Sequence, residues 1–134
     1  MATVKDLKAL ASGEEATFRA RVLRLWEIGG LRMALVGDDS GLTRIELGGA
    51  AVEDGGSYEF RRAAVRQYDG GWTSVSIADG GEALAIDEDV STPQDEAYIE
   101  RTFKILSGIQ RKKGRSEGRL PPWEHPAKQS GGST

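Results

Sequence analysis

Apolar residues recur at every second position through the N-terminal two-thirds of this chain, an alternation that predicts β-strands with one buried face. The first run, TFRARVLRLWEI from Thr17 to Ile28, sets Phe18, Ala20 and Val22 on one face before the phase slips to Leu23 and Leu25. One extra residue re-aims every side chain that follows it, so the slip predicts a β-bulge between Val22 and Leu23. With the bulge, Phe18, Ala20, Val22 and Leu25 face a core, while Arg19, Arg21, Arg24 and Trp26 share the opposite face.

Gly29-Gly30 gives a tight connection to a second strand, with Leu31, Met33 and Leu35 on one face and Arg32, Ala34 and Val36 on the other. Gly37 to Gly41 (GDDSG) is a turn, its Asp and Ser side chains suited to bonding nearby backbone. The third strand turns Thr43, Ile45 and Leu47 inward and Arg44 and Glu46 outward. The glycine-rich stretch 48–56 holds no more than a turn of helix. A fourth strand starts at Tyr58 and Phe60, changes phase across Arg61-Arg62 at a second bulge, and resumes at Ala63 and Val65. Tyr68-Asp69-Gly70-Gly71-Trp72 is a hairpin tip leading to a fifth strand with Thr73, Val75 and Ile77 inward, which Ala83 to Ile86 is expected to extend.

Helical spacing occurs only at the flanks. Val4, Leu7 and Leu10 fit a turn or two of helix over one end of the strands. After Pro93, a helix is expected from about Gln94 to Ile109, with Asp95 and Glu96 complementing the dipole at its start. Its apolar residues Tyr98, Ile99, Phe103, Ile105, Leu106 and Ile109 form a broad stripe that must pack on something. Short bulged strands with glycine turns suit a closed five-stranded all-β barrel better than a sandwich, which needs about seven strands. The expected organisation is a barrel over 1–90, an amphipathic helix over 91–110 and a disordered basic tail over 111–134.

Composition narrows the function. With 134 residues, 38% of them apolar, the chain can close one modest core. Without cysteine it has no disulfide, thiolate metal site or thiol nucleophile. No run reaches a membrane span and the N-terminus lacks an apolar signal core, so a cytoplasmic protein is expected. The net charge of −3 conceals an asymmetry: 12 Lys and Arg against 19 Asp and Glu over 1–110, then 6 against 2 over 111–134.

The candidate chemistry is binding. A row of guanidinium groups ending in an indole suits a ligand with phosphates and stackable rings. A half-buried strand with a solvated charged face accounts for the same residues, and Trp26 fits a barrel end as well as a base. Trp72, between glycines and strand, has little core to enter. Asp38-Asp39 fits a turn better than a metal pair. Arg61-Arg62 straddle a bulge and meet solvent, and Asp87-Glu88-Asp89 forms a solvated boundary. His125, the single histidine, lies in the segment PPWEHP, where the fixed geometry a catalytic base needs is absent. Trp123 between its prolines fits either that disordered tail or a short recognition peptide.

Three pieces, RARVLRLWE (19–27), GDDSGLTRIEL (37–47) and GGSYEFRRAAVRQYDGGWTSVSI (55–77), together resemble the OB-fold domains of archaeal replication protein A and related single-stranded-DNA-binding proteins. The resemblance covers most of residues 4–90. It implies binding across the outer face of strands one to three, with Arg19, Arg21, Arg24, Arg32 and Arg44 as phosphate contacts and Trp26, Tyr68 and Trp72 as base-stacking candidates. Where relatives often carry an aromatic after the third strand, this chain has Gly48, and it has no counterpart of their cysteine-bearing zinc module. The expected function is non-catalytic binding of single-stranded DNA, ahead of RNA, in replication or repair, with no cofactor and no metal. The alternative is a protein–protein adaptor that uses helix 94–109 to meet a partner or a second copy.

Overall fold

The computed structural model describes residues 1–68 and 72–113. The hairpin tip 69–71, side chains from Ile109 onward, and the tail from residue 114, with Trp123 and His125, lie outside the described residues, while 111–113, expected in the tail, continue the C-terminal helix. Element order is α1 (Val4–Leu7), β1 (Glu15–Ile28), β2 (Leu31–Asp38), β3 (Gly41–Glu46), β4 (Ser57–Tyr68), β5 (Trp72–Ser76), β6 (Glu82–Ala85) and α2 (Glu96–Lys113). The sheet runs β1-β2-β3-β5-β4-β6, and a further β1–β4 pairing closes the first five strands into a barrel. All pairs are antiparallel except β3 with β5. This is the five-stranded OB-fold barrel, with a helical turn before it and a helix after it.

Strand phase places the core. Phe18, Ala20 and Val22 from β1 meet Ala34 and Val36, Ile45 and Leu47, Phe60, Ala63 and Val65, and Val75 and Ile77 inside the barrel. The Phe18 and Phe60 rings stack at 5.3 Å between centroids and are fully buried. Burial of each such side chain stabilises the fold by about 1.5–3 kcal/mol. Both expected bulges form. The β1–β2 register shifts between Val22 and Arg24, and the β1–β4 register shifts between Ala16 and Phe18, opposite Arg61 and Arg62. Arg62 holds φ 54°, the backbone reason why the alternation breaks there.

Two local expectations change and a third holds. Leu25 pairs with the fully buried Ala34 but is itself 39% exposed, so it does not face the core as the alternation predicts. Residues 82–85 do continue the path of β5 after a break at 77–81 that contains Gly80 (φ 89°): both strands run antiparallel along β4, β5 against Ala64 to Tyr68 and 82–85 against Tyr58 to Arg61. The C-terminal helix begins at Glu96, not Gln94, because the Asp95 carboxylate caps it by accepting from the Ala97 and Tyr98 amides.

The barrel end is plugged by α1, whose Val4 and Leu7 are fully buried. Thr3 and Asp6 form a capping box, and the GDDSG turn completes it. Asp38 Oδ2 accepts from the Val4 amide at 3.0 Å, Ser40 Oγ accepts from the Lys5 amide at 2.8 Å, and Asp38 Oδ1 accepts from the Ser40 amide. Asp38 therefore serves both a turn and a helix start. Among the described residues no helix is long and apolar enough to cross a membrane.

Candidate nucleic-acid interface

Cross-strand register lays two rows of side chains over the outer face of the barrel. One runs Arg24, Leu35, Arg44, Ser74, Arg66 across β1, β2, β3, β5 and β4; the next runs Trp26, Met33, Glu46, Ser76, Ala64. Arg19 and Arg21 continue the arginine line along β1 before the bulge. The bulge keeps all three β1 arginines and Trp26 on one side, as the alternation predicts. Arg32 is not with them. It alternates with Ala34 and Val36, so its side chain leaves β2 on the core side and donates to the Ala50 carbonyl.

The centre of this face is covered by α2. Ile99 and Leu106 are buried against Leu35 and Leu42, with Leu23, Trp26, Tyr68, Trp72, Tyr98 and Phe103 packed around them as a second apolar cluster. The helix stripe has thus found its own barrel. Trp26 lies on the outer face but is half-buried, with Phe103 edge-on at 5.3 Å and 78°. Trp72, expected to stand clear at a loop tip, is half-buried in the same cluster next to Tyr68, its cross-strand partner. Arg44 points outward from β3 as expected yet is only 2% exposed. Its Nε donates to Ser74 Oγ, its Nη1 to the Leu106 carbonyl at 3.0 Å and its Nη2 to the Tyr68 hydroxyl at 3.1 Å. Its guanidinium also lies 5.4 Å from the Tyr68 ring centroid. Burial pushes the Arg44 pKa down, opposed first by Tyr68, but guanidinium stays charged at any ordinary pH. A buried cation tied to a helix carbonyl anchors α2 to the sheet.

The β1 arginines are paired, mostly with carboxylates that follow the barrel in sequence. Arg19 bonds Glu59 at 3.1 Å and Glu88 at 2.9 Å, Arg21 lies 3.9 Å from Asp89, and Arg24 reaches Glu96 at 3.3 Å and Glu100 at 3.6 Å. Glu59 also takes a 2.6 Å bond from Arg61. That bond first, and Arg19 second, hold the Glu59 carboxyl below the usual carboxylate range, and Glu59 in turn raises Arg19. Asp87-Glu88-Asp89 is therefore more than a solvated boundary. Its signal in the sequence is the recurrence of acids at 88, 89, 96 and 100, the last two one helical turn apart. Arg66, Ser74 and Ser76 are likewise outer-face residues, legible from the phase of Ala63, Val65, Val75 and Ile77.

Arg21 Nε and Trp26 Nε1 are buried without a hydrogen-bond partner among the described residues. Trp26 lies against Phe103 of α2 and Arg21 beside Asp89, and an unmet buried donor weakens the arrangement around it.

No protein-family model matches the sequence, and no curated protein matches it significantly. Solved structures do resemble its fold. The OB domain of a Methanosarcina mazei protein matches with TM-score 0.60 at 20% identity, over 71% of this chain and 91% of that one. The HINb domain of p204 matches at TM-score 0.58 and 14% identity, over 64% of this chain and 47% of that one. A murine DNA-binding protein solved with double-stranded DNA matches at TM-score 0.53 and 11% identity, over 71% of this chain. This chain spans about half the length of the last two, 47% and 50%. Likeness at these identities establishes the barrel architecture.

Proposed function

We propose that this protein binds nucleic acid through the outer face of β1 to β3, with single-stranded DNA as the principal ligand, in the manner of the replication protein A domains its motifs resemble. One observation carries this reading: Arg19, Arg21, Arg24 and Trp26 follow one another along a single outer face of an OB barrel. Guanidinium groups at that spacing offer bidentate contacts to successive phosphates, and the indole offers a stacking surface for a base. The double-stranded DNA in the murine neighbour's structure supports nucleic acid as the ligand class and makes a duplex a necessary comparison. The role is binding without a chemical step, with replication or repair as its setting. An adaptor would present the α2 stripe to a partner, but that stripe is packed on its own barrel.

The number of usable arginines sets the expected salt response. Arg32 lies on the other side and Arg44 is buried, leaving Arg19, Arg21 and Arg24. At about −0.7 per phosphate contact on single strands, the log–log slope should be about −2, against about −3.5 for five. Affinity for oligo-dT should then fall about 20-fold between 50 and 200 mM salt, where five contacts would lose over 100-fold. Fluorescence anisotropy of labelled oligo-dT, with a duplex of equal length alongside, measures both. A salt-independent affinity, or no binding at low salt, rejects the mechanism.

A further inference from the structure

The segment from Glu88 to Phe103 matches β1 residue for residue in order. Glu88 meets Arg19, Asp89 meets Arg21, Glu96 and Glu100 meet Arg24, and Phe103 meets Trp26. A run of negative charges ending in an aromatic ring occupies, in sequence, the arginines and indole that the preceding reading gives to phosphates and a base. We propose that this segment is a resident competitor: it holds the nucleic-acid face in the free protein, and a strand must displace it to make its full set of contacts. The inference rests on the nucleic-acid reading and names how that site is controlled.

Three features make the contact exchangeable. The carboxylates of Glu88, Asp89 and Glu96 are 55%, 95% and 80% exposed, so their ion pairs are loosely held and easily traded for phosphate. The closed state leaves Trp26 Nε1 and Arg21 Nε unsatisfied, whereas a nucleotide can supply acceptors to both. The barrel itself closes through β1–β4 pairing and holds its own core cluster, so α2 can leave without opening it. Apparent affinity is then the intrinsic affinity reduced by the fraction of molecules with α2 off the face. Neutralising the competitor should raise that fraction.

The test uses the full chain and two variants, Glu96→Gln/Glu100→Gln and Phe103→Ala, titrated with labelled oligo-dT at 50 mM salt, with backbone hydrogen exchange of residues 96–106 followed in parallel. Circular dichroism confirms that each variant keeps its β-sheet. Either variant should bind about tenfold more tightly than the native chain, and saturating oligo-dT should strip exchange protection from 96–106 in the native chain. If the variants bind no more tightly and 96–106 stays protected in the complex, the competitor is refuted while strand binding stands. If neither the native chain nor the variants bind, strand binding itself falls and the competitor with it.

Discussion

Gly48 stands just past β3 at φ 60°, and a Cβ built there would lie 2.8 Å from the Ala78 Cα. Both the backbone conformation and the neighbouring chain exclude a side chain, so no aromatic has room at this position. Gly48→Ala should therefore destabilise the barrel by about 2–3 kcal/mol, read as a lower urea midpoint at unchanged slope. Glu59 makes a different kind of prediction. Its folded pKa is lowered by Arg61 and Arg19, so the stabilisation it contributes is complete above the ordinary Glu value of about 4.3 and is lost as pH falls through the folded value. Urea midpoints of Glu59→Gln should thus vary less with pH than those of the native chain on the acid side of about pH 4.5. Single residues were legible in the sequence where alternation governs them. Arg32 belongs with Ala34 and Val36 by parity alone, and only the family pattern placed it among the phosphate contacts. The one acceptor of Arg44 beyond its own sheet was not legible, because Leu106 lies 62 residues away and no local pattern encodes that distance.

At the scale of elements, the bulges were readable because a phase slip is written in consecutive residues: Val22-Leu23 and Arg61-Arg62 each announce one. The continuation of β5 into 82–85 was readable as well, although the break at 77–81 makes it a strand of its own. For α2, the sequence supplied the amphipathic stripe and a start near Gln94, and the structure moved the start to Glu96 with Asp95 as the cap. Replacing Asp95 with Ala should cost about 1 kcal/mol of helix stability. Because α2 lies on the barrel and not within it, the loss should appear as faster hydrogen exchange at the amides of residues 97–102, with the amides of Val36 and Ile45 unchanged. Equal acceleration in the barrel strands would mean that helix and barrel unfold as one unit.

Across the whole molecule, 19 acids against 12 bases over residues 1–110 give a field that repels a polyanion at long range. Binding must come from close contacts, and the slope of about −2 expected from three arginines is the signature of that short-range mechanism. The same acids, placed at 88, 89, 96 and 100, neutralise the β1 arginines within the molecule. The sequence by itself determined the strand phases, both bulges, the barrel and the side of β1 on which the arginines lie, because each follows from the alternation of neighbours a few residues apart. Only the tertiary structure decided that α2 packs over that side, that Arg44, Trp26 and Trp72 lie beneath or beside it, and that the acids pair with the arginines in matching order. Those contacts join residues 62 to 77 positions apart, and their choice depends on which surfaces remain uncovered once the barrel has closed.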